Sequence, residues 1–192
     1  MKNLISLLII ICVLCSFNKS GDKITTCKIF EPDTTVNNVI LLENDVSISK
    51  TFGDLMKSLT GSELPSVYFS NTLKTQYLKL TFFNGNKRNC FSRFEIGYIA
   101  NLQNVRVENS SNFDKFYSEN GIVLGMQKSE LLEKKGENYV KTSQNGIILL
   151  TYSIDDFDKS QFLKRYNMPL YTAEYWFKDN VLIKFAYGFE YP

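Results

Sequence analysis

Apolar runs, and apolar residues that alternate with polar ones, mark seven segments of the chain as β-strands. Leu78, Leu80 and Phe82 point to one side of such a segment and Lys79 to the other, which is typical of a strand with one buried and one solvated face. The predicted strands are residues 37–44, 66–70, 76–84, 90–99, 145–154, 170–177 and 181–190, with turns at 84–86 and 179–180.

Apolar residues at helical spacing predict a first helix over residues 49–61. Ser49 is the expected N-cap and Gly61 the expected end of this helix. Its apolar stripe consists of Phe52, Leu55, Met56 and Leu59.

The segment GIVLGMQKSELLEKKG, residues 121–136, predicts a short strand, a turn and a second helix. Gly125 is expected to end the strand Ile122–Leu124 and to let the chain turn before a helix that begins at Gln127. Met126, Leu131 and Leu132 are expected in the core, with Gly136 as the C-cap. The charged positions are interpreted as a solvated helix face: Lys128, Glu130, Glu133, Lys134, Lys135 and Glu137.

These elements predict an α+β fold in which short helices pack on an antiparallel meander. The order of a helix followed by three strands occurs twice, in residues 27–110 and in residues 111–192. Leu55 and Leu131 occupy similar places in the two halves, and FEIGY (94–98) is echoed by FAYGF (185–189). Internal duplication explains this order, although a helix followed by a meander also recurs by chance in α+β proteins. The second half has an extra stretch, residues 155–169, with room for a short helix.

The last strands carry many aromatic residues, and their alternation leaves aromatics on both faces. Tyr171 and Tyr175 share one face of their strand and Trp176 takes the other, while Tyr187 lies on the next strand. Which face meets the core depends on a register shift of one residue near 178–181. We therefore consider two readings: a second layer covers the remaining aromatics, or Tyr171, Tyr175, Trp176 and Tyr187 form a surface that binds a partner.

The N-terminus has the pattern of an export signal. Residues 1–15 contain Lys2, an apolar run that is too short to span a bilayer, and Cys15 directly after that run. We expect Cys15 to carry lipid in the manner of bacterial lipoproteins, although Leu14 stands where a small residue is usual. Ordinary signal cleavage without lipid is the alternative. Residues 16–26 are polar and are interpreted as a tether.

Two further cysteines, Cys27 and Cys90, follow the predicted signal. In an oxidising compartment they could form a disulfide, and two unbonded thiols are the alternative.

Composition narrows the functional classes. The chain of 192 residues has no histidine, which removes the commonest general base and the commonest metal ligand. Its net charge of +2 gives no reason to expect nucleic acid as a partner. Residues 155–158 (DDFD) are interpreted as a solvated acidic loop, because the spacing of a calcium-binding loop is missing. We expect no cofactor, no metal and no catalytic residue.

Residues 121–136 resemble small bacterial outer-membrane lipoproteins of the SmpA/OmlA kind. The resemblance rests on an apolar-x-apolar-Gly-Met segment, then Glu-Leu-Leu, then a glycine. The segment also resembles the fold group of the β-lactamase inhibitor protein, which is a tandem repeat of helix-and-meander units. Glu137 stands where proline commonly follows in the lipoproteins. The resemblance implies an envelope location and contact with another protein, and it transfers no binding residue.

Together these features predict an exported, non-catalytic binding or scaffold protein of a bacterial cell envelope. We expect it in the periplasm or at the outer membrane, attached to the membrane only through an N-terminal lipid. Its expected partner is another envelope protein. The alternatives are a secreted inhibitor-like protein that docks on an enzyme through an aromatic sheet face, and an enzyme without histidine that uses carboxylates or tyrosine.

Overall fold

The computed structural model describes residues 29–61, 63–83, 85–107 and 109–190, and an eight-stranded sheet dominates it. The strands are β1 Thr35–Val36, β2 Ile40–Leu41, β3 Ser66–Ser70, β4 Gln76–Thr81, β5 Arg93–Tyr98, β6 Asn109–Ser110, β7 Val140–Gln144, β8 Ile147–Ile154, β9 Leu170–Lys178 and β10 Val181–Glu190. The helices are α1 Asp45–Phe52, α2 Lys128–Lys135 and α3 Gln161–Tyr166, and a 3₁₀ turn spans Ile99–Asn101.

The large sheet has the strand order β6-β3-β4-β5-β10-β9-β8-β7, and β1 pairs with β2 in a separate small ribbon. All neighbours in the large sheet are antiparallel except β3 and β6, which are parallel. A large, mostly antiparallel sheet with a few short helices confirms the predicted class.

One face of the sheet, which we call the covered face, packs against all three helices. Each helix contributes a buried apolar residue to the same core: Ile48 from α1, Leu131 from α2 and Leu163 from α3. The strands supply the other side of that core through Phe69, Leu78, Leu80, Phe94, Ile96, Leu150, Tyr152, Tyr175, Phe177, Leu182, Phe185 and Phe189. The opposite face, which we call the open face, carries mostly polar side chains. The alternation read from the sequence is therefore that of a sheet with one solvated side.

A β-bulge in β10 decides which aromatics reach the core. Leu182 pairs with Phe177, but the next pair joins Lys184 to Trp176, so Ile183 is the extra residue. Leu182 and Phe185 consequently both face the core, whereas strict alternation predicts opposite faces for them. Ile183 lies on the open face beside Trp176.

The first helix lies earlier than predicted. The side chain of Asn44, not of Ser49, caps its N-terminus by accepting from the Ser47 amide at 2.7 Å. Gly53 ends the helix with a positive φ of 79°, which glycine adopts readily. The apolar stripe read over residues 49–61 therefore crosses this stop, and Leu55 is a buried residue of the following loop.

The segment 121–136 folds largely as predicted. α2 starts one residue after Gln127, whose amide donates to Glu130 in a capping box at 2.9 Å, and it ends at Gly136 with φ of 79°. Gly125 has φ of 87°, as the expected turn requires. The predicted strand Ile122–Leu124 is reduced to a single bridge, between Val123 and Tyr117.

Most predicted strands are confirmed, but residues 37–44 differ from the prediction and three strands, β1, β6 and β7, were not predicted. Residues 37–44 form only the short β2, because Asn37 and Asn38 take left-handed turn conformations. The strand β7 was missed, although Asn145 and Gly146 form the tight turn that joins it to β8. The short β6 was also missed. Residues 155–169 do contain a helix, α3, which is capped by Ser160.

Among the described residues, the structure has no helix that is both long and apolar enough to pass through a bilayer.

Candidate functional site

The four aromatic residues predicted as a binding surface do not share a face. Tyr171, Tyr175 and Tyr187 lie on the covered face and have no exposed area. Their assignment to an exposed surface is therefore wrong. Trp176 lies on the open face and is partly exposed.

A segment near the start of the described chain binds the hydroxyls of the three tyrosines. Residues 29–36, which we call the strap, lie against them. The Tyr171 hydroxyl donates to the Asp33 carbonyl oxygen at 2.6 Å and accepts from the Asp33 amide at 2.9 Å. The Tyr175 hydroxyl donates to the Asp33 carboxylate at 3.3 Å, and the Tyr187 hydroxyl donates to the Thr35 carbonyl oxygen. Three of the four aromatic residues that the sequence suggested as a partner-binding surface thus bind the strap instead.

A buried ion pair ties the strap to helix α2. Lys135 Nζ lies 2.7 Å from Asp33 Oδ2, and both side chains have no exposed area. The same ammonium donates to the Glu31 carbonyl oxygen at 2.7 Å, and Asn120 Nδ2 donates to Asp33 Oδ1 at 2.9 Å. Lys135 was predicted on a solvated helix face, which is wrong. Its spacing of four residues from the core residue Leu131 was the sequence signal for an inward position.

Burial raises the pKa of Tyr171, Tyr175 and Tyr187 well above the usual tyrosine value, and the negative charge of Asp33 raises each of them further. All three hydroxyls therefore stay protonated at neutral pH. Each of them already donates a hydrogen bond to the strap, which suits a structural role better than proton transfer.

On the open face, Trp176 lines a cavity of about 930 Å³. The Lys184 ammonium lies 3.8 Å from the centroid of the Trp176 ring and 3.9 Å from Glu95 Oε2. The Tyr77 hydroxyl donates to Glu95 Oε1 at 2.6 Å. Ile147, Ile183 and Leu102 give the cavity apolar walls. The result is a mixed depression, in which aromatic and aliphatic walls lie beside two lysines, Lys178 and Lys184, and beside Glu95, which Tyr77 and Lys184 engage.

A loop crosses the open face and forms one wall of this cavity. Residues 99–107, which we call the crossover loop, lead from β5 toward β6, and these two strands are separated by β4 and β3. Tyr77 and the loop line the same cavity, and Tyr77 is only 3% exposed although it lies on the open face. The Tyr77 ring lies directly over Gly97, where an added Cβ would be 2.7 Å from the ring.

The predicted cysteine and acidic sites have separate outcomes. Cys15 and Cys27 lie outside the described residues, so lipid attachment and the disulfide stay predictions. Cys90 is buried, and burial raises the pKa of its thiol. The acidic loop 155–158 is solvent-exposed, and Asp156 forms an ion pair with Lys159 at 2.7 Å.

In the described part of the chain, no group of three or more Cys, Asp or Glu side chains is arranged to hold a metal ion.

Comparison of the chain with protein-family models, with curated proteins and with solved structures found no match.

Proposed function

We propose that this chain is an exported, non-catalytic binding or scaffold protein of a bacterial cell envelope, and that it contacts its protein partner through the open face around Trp176. One observation carries this proposal: a tryptophan lines a depression of about 930 Å³ on the sheet face that the helices leave uncovered. Tryptophans in such depressions often dominate the energy of a protein–protein contact.

The arrangement of polar groups supports binding over catalysis. Glu95 is the acidic residue of the Trp176 cavity, and it is engaged by Tyr77 and Lys184. Burial raises the pKa of Tyr77, followed by the effect of the neighbouring Glu95 charge, so its hydroxyl is a hydrogen-bond donor at neutral pH and not a base. An enzyme without histidine that uses carboxylates or tyrosine remains the third alternative, and in this cavity its carboxylate would be Glu95, which Tyr77 and Lys184 already engage.

An inhibitor-like protein that docks on an enzyme is the second candidate. It would use the same face, because partly exposed Trp176 offers a large aromatic anchor with few rotatable bonds. The two candidates differ only in the class of partner, so identifying the captured partner separates them.

Envelope location is proposed from the N-terminal sequence. We infer that residues 1–15 direct export and that Cys15 carries lipid. Metabolic labelling with palmitate tests the anchor: label that persists in a Cys15→Ala variant would refute it.

We further propose that the two halves arose by duplication, as in the inhibitor fold group that the sequence resembles. The strand orders β3-β4-β5 and β10-β9-β8 mirror each other about the centre of the sheet. Phe94 pairs with Tyr187, and Ile96 pairs with Phe185. If FEIGY corresponds to FAYGF, each of these pairs is the symmetry image of the other. The two helices give no support, because Leu55 lies outside α1 while Leu131 lies inside α2.

Site-directed crosslinking in envelope extracts tests the proposed function. A Trp176→Ala variant should lose capture of the partner, whereas Phe157→Ala, which removes an exposed aromatic from the acidic loop, should retain it. Trp176 is also the single tryptophan of the chain, so partner binding should shift its fluorescence. Unchanged capture by the Trp176→Ala variant would refute this face as the contact.

A further inference from the structure

The large sheet has two edges of unequal length. One edge is the two-residue strand β6, and the other is the five-residue strand β7. β7 pairs with β8 along its whole length, in one unbroken register. All five of its side chains are exposed, and no other strand of the described chain pairs with it. The outer edge of β7 is therefore open to a further strand.

The turn that joins β7 to β8 determines the direction of the backbone groups of β7. Asn145 and Gly146 both have positive φ, of 52° and 77°, and form a two-residue loop. Such a loop is closed by a hydrogen-bonded pair of residues, which here is Gln144 and Ile147. Hydrogen-bonded pairs alternate with pairs that are not hydrogen-bonded along an antiparallel ladder, so this one pair fixes the pattern of the whole strand.

Two residues of β7 turn their backbone groups away from β8. The pattern directs the amides and carbonyls of Val140, Thr142 and Gln144 toward β8. Those of Lys141 and Ser143 consequently point outward. Among the described residues, neither of these two has a backbone hydrogen bond to a loop or to another element. The edge thus presents two amides and two carbonyls that a further strand can bind.

A second copy of β7 fits this edge in one register. Antiparallel pairing around Thr142 places Lys141 opposite Ser143 of the second copy, so the outward groups of the two strands bond to each other. All five residues are then paired, and Thr142 faces its own counterpart in a favourable cross-strand pair. Pairing around Lys141 would put two ammonium groups directly opposite each other. Pairing around Ser143 would run Lys141 against Asn145, which has a left-handed backbone and lies outside the strand.

Lys141 weakens this pairing without preventing it. In the register around Thr142 the two Lys141 side chains are diagonal neighbours, and because both are exposed, solvent and salt screen their repulsion. A ladder of five residues also buries little area. We therefore expect reversible association, with a dissociation constant between about 1 μM and 1 mM.

We propose that this chain forms a two-fold symmetric dimer through antiparallel pairing of β7 with β7 of a second copy. A second copy is favoured over an unrelated strand because β7 is complementary to itself in its outward backbone groups and brings no like charges directly opposite. Thr142 shares a cross-strand row with Leu149 and Trp176, so the two open faces would lie on the same side of one continuous sheet. The inference goes beyond the proposed contact around Trp176 and does not depend on it.

Sedimentation equilibrium of the purified protein tests this association. A reducing buffer excludes disulfides between copies. We expect the average mass to rise from monomer toward dimer as the protein concentration is raised to about 1 mM. A mass that stays monomeric over this range would overturn the proposal.

Matched variants at the edge locate the contact. Ser143→Pro removes an amide that points away from β8, so it should abolish the dimer and keep the β7–β8 hairpin. Ser143→Ala keeps that amide and should dimerise like the parent chain. Lys141→Thr removes the diagonal repulsion and raises the strand propensity, so it should tighten the dimer by about three-fold. Equal dimerisation of Ser143→Pro and Ser143→Ala, or a weaker dimer in Lys141→Thr, would overturn the proposal.

Amide hydrogen exchange provides a measurement that needs no variant. In dilute solution the amides of Lys141 and Ser143 should exchange rapidly, while the amide of Thr142 is protected by its bond to β8. In concentrated solution all three should be protected. A dimer that forms without any change at Lys141 and Ser143 uses another surface, and that result would refute the pairing of β7.

Trp176→Ala separates this inference from the proposed function. We expect this variant to lose partner capture and to keep the dimer. If it loses the dimer while Ser143→Pro keeps it, the copies associate through the open face and the β7 proposal is wrong. If Ser143→Pro is monomeric while Trp176→Ala still captures the partner, the dimer proposal stands and the proposed contact around Trp176 is wrong.

Discussion

Replacing Lys135 by methionine should severely destabilise the protein. The substitution keeps most of the length of the side chain but removes the ammonium that faces Asp33 at 2.7 Å. The Asp33 carboxylate would then be buried opposite an apolar group, with Asn120 and Tyr175 as its remaining side-chain partners. The Glu31 carbonyl oxygen would lose a hydrogen bond as well.

The size of the effect follows from the burial of both partners. Removing one member of a fully buried ion pair typically costs about 3–5 kcal/mol, because the remaining charge is left uncompensated. Both side chains have no exposed area here, so solvent screening does not reduce that figure. For a domain of this size, each kcal/mol lowers the melting temperature by about 2–4 °C, so we expect a fall of about 6–20 °C.

Urea and thermal unfolding measure this difference, and the neighbouring residue provides the control. Lys134→Met makes the same chemical change one position earlier, on the exposed side of α2, and should alter stability by less than about 0.5 kcal/mol. The double variant Asp33→Asn/Lys135→Met should be more stable than Lys135→Met alone, since it removes the orphaned charge. If Lys135→Met lowers the free energy of unfolding by less than about 1 kcal/mol, or if Lys134→Met lowers it equally, the Asp33–Lys135 ion pair does not hold the strap.

Three further outcomes follow from buried groups. The raised pKa values of the tyrosines that bind the strap mean that their contribution to stability is complete below the usual tyrosine pKa of 10.0 and is lost as the pH rises above it. Tyrosinate absorbance should therefore appear together with cooperative loss of circular dichroism, and gradual ionisation of a folded protein would contradict this. Burial raises the pKa of Glu43 above its usual 4.5, so its ionised form costs stability at neutral pH. Glu43→Gln should raise the melting temperature at pH 7 but not at pH 4. A lower melting temperature at pH 7 would mean that the hydrogen bond from the Ser92 hydroxyl needs the negative charge of Glu43. Gly97→Ala should cost about 1–3 kcal/mol by pushing on the Tyr77 ring, and a Tyr77→Ala background should abolish that cost in urea unfolding.

The strands were predictable because alternation reports directly on a sheet with one wet face. Leu78 and Leu80 face the core and Lys79 faces the open side, as their order along the strand requires. The turn at Asp179 and Asn180 was predictable for a similarly local reason, since both residues adopt left-handed conformations readily. Local signals of this kind need no knowledge of the rest of the chain.

The first helix was misplaced because an apolar stripe was given more weight than a glycine. Gly53 has the positive φ that ends α1, and the apolar residues beyond it reach the core from a loop. Periodicity counts which residues are buried but does not show which backbone conformation buries them. The cap residues, Asn44 and Gly53, were the better guide to the bounds of this helix.

The predicted binding surface wrongly combined residues from both faces of the sheet. A sequence shows that a strand has two faces, but it does not show what covers each of them. Tyr175 and Trp176 are adjacent, so they had to lie on opposite faces, and one surface could not contain both. The Tyr171 hydroxyl forms hydrogen bonds with the backbone of Asp33, which lies 138 residues away along the chain, and no local pattern predicts such a contact. The difference between the buried tyrosines and partly exposed Trp176 has a measurable consequence. Because Lys135 fixes the strap over the tyrosines, Lys135→Met should lower stability, whereas Trp176→Ala should reduce partner binding in a protein that is still well folded. If Trp176→Ala instead unfolded the chain as strongly as Lys135→Met does, Trp176 would belong to the core and the open face would lose its aromatic anchor.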